Sequence, residues 1–469
     1  MPSDPSFLVR TQRHGRTLPH HPRAWALRLG SAALAALAAL AGASSPASAS
    51  TEPNGDEPFM RIVENERTQR VELQVAIRAY EPSDRSGPVV YLASAVHLGL
   101  PEFYHQLQLF LDAQDVVLYE GVQPPGTPRD SRWTKPIDDA HKAHVAASRA
   151  RLLASWLDRL DPEPMTLAAL HAQTPAELRP FIEPMLLDPF GGDFATASPD
   201  VELDGRTTTL PVVVGLGADR RPGGDGSDAD VIASPRFLPE PTVDRIEGAG
   251  LQQRMADALG LQFQLAVMRH DHPNWRNSDV SLDRLRPGLG AGGPGSPDGS
   301  ARRSGSDTLG DRQTDAMLQM LSGRGLLGRI SSMMTNIMGA TDATREVSKL
   351  LMIETLARAD EIFEAQSHAH ALGPLLENIL EARNDVVIDD LSLLLDSEPE
   401  LRTVAIIYGA GHLPGVHDAL VSRLGYTPTG TKWVTAIDAD LDSLGLSDRE
   451  TRVIRSGIRA MIEMQTRRR

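Results

Sequence analysis

Val89-Val90-Tyr91-Leu92-Ala93-Ser94-Ala95-Val96, ending at His97, is the stretch on which the fold of this chain turns. It is apolar and rich in β-branched residues, without the polar alternation of a half-exposed strand, which is the pattern of a strand covered on both faces. Asp115 to Val122 and Thr403 to Tyr408 share it. Between the first two runs, Phe103, Leu107, Phe110 and Leu111 recur at helical spacing behind Pro101, which predicts a helix over 101–113 and a βαβ unit. The third run turns through Gly409-Ala410-Gly411-His412 into a helix from Val416 to Leu424, closed by Gly425. The expectation is an α/β fold whose mainly parallel sheet is built from N- and C-terminal βα units, with a long helical insertion between them.

That insertion carries apolar residues near three- and four-residue spacing over Ala140 to Leu160, Leu251 to Met268, Asp315 to Leu321, Thr344 to Ala365 and Pro374 to Leu395. Asp219 to Pro235 and Pro287 to Gly310 are dense in Gly, Pro, Ser and Asp and read as mobile surface loops, that is, inserts at about 219–235 and 287–310. The tail from Ser447 to Arg469 reads as a solvated helix with a basic end. Residues 50–469 then form a single domain.

The 469 residues are 41% hydrophobic and 23% charged, a globular composition. A net charge of −15 argues against binding nucleic acid or anionic lipid through a broad basic face. The first 49 residues read as an export signal. Arg10, Arg13, Arg16 and Arg23 precede a small apolar run from Leu29 to Ala43 and then Ala47-Ser48-Ala49. This implies a periplasmic or secreted protein with no membrane span once the signal is removed; an uncleaved anchor is the alternative, although the run is shorter than the ~20 residues of a spanning helix. Cysteine is absent, so disulfides and thiolate chemistry are excluded, and any metal must be held by His and carboxylate ligands.

Open parallel sheets bind ligands beyond the carboxyl ends of their strands. The first strand ends at His97, the second at Glu120 and the third at Gly409-Ala410-Gly411-His412. If those strands are neighbours, His97, Glu120 and His412 converge as two imidazoles and a carboxylate, a catalytic set for a divalent metal such as Zn, Mn or Co. Otherwise each His caps a turn. In the helix beginning near Pro374, the stripe Leu376, Ile379 and Leu380 continues onto Arg383, Asn384 and Val387. An inward Arg383 needs a carboxylate or an anionic ligand, so Arg383 and Asn384 point to a polar site. His270-Asp271-His272 with Asp279, around Trp275, reads as loop polarity, or as a lid that brings Asp279 into the site. His141 with His144 and His368 with His370 read as surface residues. Gly288-Leu-Gly-Ala-Gly-Gly293 lacks the flanking strand and helix of a dinucleotide site, and neither H-E-x-x-H nor G-x-S-x-G occurs.

Val90 to Glu120, with Asp115-Val-Val inside it, followed downstream by Arg383-Asn384 and Gly409-Ala410-Gly411-His412-Leu413-Pro414-Gly415, resembles the TraB/GumN family, which also contains the pheromone-shutdown proteins and is related to the Tiki metalloproteases. The resemblance covers the two ends of the mature chain. It implies an α/β fold with two Gly-x-x-His signatures and divalent-metal-dependent cleavage of a peptide or protein substrate. By position, His97 and His412 are the signature histidines and metal ligands, Glu120 is a ligand or general base, and Arg383 with Asn384 completes the catalytic set. Ser94 stands where the first signature has Gly, and Ser suits that place only if the backbone stays out of positive φ. The competing readings are a non-catalytic protein that binds a peptide or small ligand in the same crevice, and a haem or metal carrier with one axial His.

Overall fold

The computed structural model describes residues 57–65, 67–84, 86–121, 129–159, 166–203, 205–234, 251–281, 341–359, 373–445 and 448–466. The first 49 residues, read above as an export signal, the 287–310 insert, 315–321, His368 and His370 lie outside them.

The fold is α/β, organised on a seven-stranded sheet. Its strands are β1 (Met60–Asn65), β2 (Arg70–Pro82), β3 (Val89–Ala95), β4 (Val116–Tyr119), β5 (Trp275–Asn277), β6 (Thr403–Gly409) and β7 (Tyr426–Asp440). Four of them, in the order β3, β6, β4, β5, are parallel neighbours. β2 flanks this block antiparallel to β3, with β1 on the same edge of β2 and β7 along the other. The C-terminal strand β6 therefore inserts between the two N-terminal ones, and the two ends of the chain build one sheet.

Alternate residues of the parallel strands enter two different cores. Tyr91, Ala93, Val117, Ala405 and Ile407 face one side. Val90, Leu92, Val116, Leu118, Val404, Ile406 and Tyr408 face the other. Both faces are covered, so no position along these strands is selected for polarity. The first face is closed by α1 (Pro101–Asp112), α2 (Asp139–Leu157) and α3 (Asp342–Leu356). The second is closed by α4 (Gly373–Ser397) and α5 (Leu413–Leu424), α5 ending where Gly425 turns left-handed at φ 70°.

The insertion holds more than helices. The helical pattern of 251–268 breaks at Gly260 (φ 66°) into a helix, Leu251–Leu259, a two-residue strand, Gln262–Phe263, and a single turn, Gln264–Val267. The segment around Trp275 is not a plain loop but supplies β5 to the main sheet. The expected surface loop at 219–235 winds through a turn at Gly226–Asp228 and ends in a strand, Val231–Ala233, paired with Val212–Gly215. Asp115 is a fastener: its carboxylate accepts from the backbone N–H of Arg402 and Thr403 and pairs with buried Arg149 at 2.8 Å, pinning the starts of β4 and β6 together. Ser94 lies in extended β3, and among the described residues only Gln69 and Arg220 have positive φ without being Gly, so its departure from the signature carries no strain.

Candidate functional site

Each of the four parallel strands delivers one polar residue just past its carboxyl end: His97 after β3, His412 after β6, Glu120 after β4 and Asp279 after β5. Onto this edge α4 lowers Arg383 and Asn384. The Leu376 and Ile379 side chains lie outside the described residues, but the stripe runs on through buried Leu380, Val387, Ile388, Leu391 and Leu394, and the Arg383 side chain, 13% exposed, does point inward onto Asp279 and Glu120.

The guanidinium of Arg383 is the hub. It forks onto Asp279, Nε to Oδ1 at 3.0 Å and Nη2 to Oδ2 at 2.7 Å, and Nη2 also donates to Glu120 Oε1 at 2.6 Å. Nη1 reaches His412 Nε2 at 3.2 Å. The second Glu120 oxygen accepts from the Gly409 N–H at 2.7 Å. The Asp279 side chain is fully buried, and its carboxylate also accepts from the N–H groups of Gly121 and Val280. His412 is 3% exposed and its Nδ1 lies 2.9 Å from Asn384 Oδ1. An amide oxygen accepts and a guanidinium donates, so the His412 proton sits on Nδ1 and Nε2 offers its lone pair to Arg383. Gly415 makes this possible, because a Cβ there would fall 2.5 Å from Asn384 Nδ2.

Protonation follows from these contacts. Burial pushes the Glu120 carboxyl up, but Arg383, then His412, the Gly409 N–H and His97 outweigh it and hold it at about 2. Burial lowers His412 to about 4 against the pull of Glu120, and Arg383 adds to the lowering. Arg383 is disfavoured by burial, yet Asp279 and Glu120 more than compensate and raise it above its ordinary value. At neutral pH Glu120 is ionised and His412 is neutral beside the Arg383 guanidinium.

Of the residues expected from sequence, Glu120, Arg383, Asn384 and His412 meet directly. His97 stands at the same edge, close enough to act electrostatically on Glu120 and His412, and its ring makes no hydrogen bond among the described residues. Asp279 meets Arg383 as well, brought in by β5 of the main sheet rather than by a lid. Behind it, Tyr408 donates to the Ser278 carbonyl, and Ser278 Oγ donates to Asp390 at 2.9 Å. Those supports carry no sequence signal.

The protonation states suit a divalent metal, since a ligating imidazole must be neutral and a carboxylate ionised. The geometry does not. Arg383 already binds Glu120 Oε1 and His412 Nε2, the atoms an ion would need, and His97, Glu120 and His412 are not among the described donor triads with atoms within 4.8 Å of one another; Asp112, His144 and His272 are. His97, Glu120 and His412 as arranged do not fit a metal.

Neither protein-family profiles, curated proteins nor solved structures return a match to this chain.

Proposed function

We propose that this chain is an exported hydrolase of peptide bonds, of the TraB/GumN kind, with Glu120, Asp279, Arg383, Asn384 and His412 as its reacting centre. The observation that carries the reading is Arg383 placed between two carboxylates and a neutral imidazole, past the ends of four adjacent parallel strands. Burying charges costs several kcal/mol per ion, and apolar groups of the same volume would stabilise a core at least as well, so such a network points to function. The leader supports export, and among the described residues no helix is long and apolar enough to cross a membrane.

Asp279 fixes the Arg383 donors, the arrangement that stabilises negative charge developing on a scissile carbonyl oxygen. Once substrate draws Arg383 Nη1 onto its carbonyl oxygen, His412 Nε2 is released to take a proton from the attacking water and to pass it to the leaving amine as the C–N bond breaks, with Asn384 holding its tautomer and Glu120 offsetting the imidazolium that forms. Each step uses this chain's own groups.

A second reading, a binding protein for peptides in the same crevice, is favoured by the closure of the network: both Glu120 oxygens and both His412 nitrogens already have partners. Incubating the full-length chain with a defined peptide mixture separates the two by mass spectrometry. Cleavage by wild type that disappears in His412→Ala supports the hydrolase, retention of intact peptides supports the binder, and inert wild type removes both.

A further inference from the structure

A second group of donors lies at the opposite side of the sheet from this edge, near the amino-terminal ends of β4 and β5 and beside α1 and α2. Asp112 closes α1, His144 projects from α2, and His272 precedes β5. One carboxylate oxygen and one nitrogen from each ring lie within 4.8 Å of one another. We infer that Asp112, His144 and His272 form a divalent-cation site of the zinc class, separate from the hydrolytic centre, whose ion locks the segment leading into β5 against the sheet.

Two imidazoles and a carboxylate with one position left for water is an accepted donor set for such ions, whose ligand atoms stand roughly 3.3 Å apart around a tetrahedral centre, so a small contraction completes the site. Independent of the distances, the His144 Nε2 atom is buried with no hydrogen-bond partner among the described residues. An orphaned buried ring nitrogen in a native fold calls for a water or an ion. Asp112 is held in place for the task. Its Oδ1 accepts from Trp275 Nε1 and Gln108 Nε2 and faces His272 Nδ1, each at 2.8 Å. Among the described residues its Oδ2 makes no hydrogen bond, and no Arg or Lys pairs with the carboxylate.

The frame around the donors is rigid. Asn274 Nδ2 donates to the Asp112 and Gln114 carbonyls at 3.2 and 2.9 Å, and Arg132 Nη1 clamps the His270 and His272 carbonyls at 2.6 and 3.1 Å. Donors fixed in this way bind an ion with little reorganisation. The clamped segment runs on into β5 and Asp279, so the ion would stiffen the support of Arg383 without touching it.

The test is a titration of chelator-treated, full-length protein with Zn2+, read as stoichiometry by elemental analysis after gel filtration and as the melting temperature. Wild type and His412→Ala are expected to retain one ion per chain, with affinity falling by about 100-fold or more in His144→Ala and His272→Ala, since even outer-shell changes cost 10–100-fold. Saturating Zn2+ should raise the wild-type melting temperature by a few degrees. That last reading needs no variant and survives if His144→Ala fails to fold. Wild type without an ion or a thermal shift, His144→Ala and His272→Ala binding like wild type, or an ion lost only from His412→Ala would each overturn the inference. A silent peptide assay would leave it standing, since the ion is scored without turnover.

Discussion

Two clusters of imidazole and carboxylate lie on one sheet, and they balance their charge in opposite ways. At the strand ends, Glu120 and Asp279 share Arg383, whose free Nη1 caps the lone pair of His412, so the chain supplies its own cation. Beside α1 and α2, Asp112 has an imidazole neighbour but no cationic side chain among the described residues, and His144 keeps a buried nitrogen unpaired. Residue type alone makes both look like metal sites. What separates them is whether a permanent positive charge arrives from a distant helix. The first cluster should therefore behave as a closed ionic unit and the second as an unfinished one, and the following substitutions are chosen to expose that difference.

The largest effect is expected from Arg383→Leu. Removing the shared cation leaves two carboxylates facing each other in the interior, and breaking a buried ionic group costs roughly 3–5 kcal/mol of stability. Chemical denaturation measures it. The triple change Arg383→Leu, Glu120→Gln, Asp279→Asn should recover most of that loss, because no uncompensated charge remains. A single-variant loss within the ordinary surface range would mean that the strand-end cluster is not closed.

Acid comes next. His412 ordinarily titrates at 6.5 and is lowered by burial to about 4 in the fold, so the unfolded chain takes up its proton first as pH falls. Stability from this group is complete above pH 6.5 and is lost progressively down to about pH 4, on the order of 3 kcal/mol. Glu120, lowered from 4.5 to about 2, adds a loss between those values. Because His144 and His270 are also lowered by burial to about 4, the His412 share is the difference in pH slope between wild type and His412→Gln. Equal slopes in the two proteins would show that the His412 ring is not held neutral.

Much of this architecture was legible in the chain because burial on two faces leaves a strong mark. Val89 to Val96, Asp115 to Val122 and Thr403 to Tyr408 read as covered strands, and they are the central block. The inward turn of Arg383 followed from the stripe it continues. β5 escaped notice as a strand because three residues are too few to show a period. β7 escaped because its partner β2 lies more than three hundred residues away in the chain, with bulges interrupting the register. His141 and His144 looked like surface residues at i, i+3 spacing. The structure corrects this: His141 is 6% exposed with Nε2 against the Asp115 carbonyl at 2.7 Å, and His144 is half-buried, both covered by segments that a helix pattern does not reveal. No local pattern could show that Arg383 would meet the chain's own acids rather than a ligand, since that depends on where Asp279 arrives.

Asn384→Ala should cost about 2 kcal/mol, the penalty for leaving the His412 Nδ1–H buried and unpaired. Because the amide also selects the tautomer, peptide cleavage should fall more steeply than stability. Gly415→Ala should reproduce part of that fall, since the new methyl must displace the same amide. Equal activity in both variants and wild type would remove His412 from the reacting centre.

The smallest effect, and the sharpest contrast, is expected from Asp112→Asn. The replacement keeps the shape and an oxygen that can still accept from Trp275 and Gln108 while removing the negative charge. With no partner cation to abandon, the chelated protein should lose only about 1 kcal/mol, the margin between a charged and a neutral acceptor. Glu120→Gln, which also keeps shape, leaves Arg383 short of half its neutralisation and should cost more. In the presence of Zn2+ the order should reverse, because only the Asp112 variant forfeits the stabilisation that ligand binding adds to the folded state. Paired thermal melts of the two variants, with and without the ion, read that reversal directly. The same order in both conditions would mean that Asp112 is an ordinary buried acceptor and that both clusters are complete without metal.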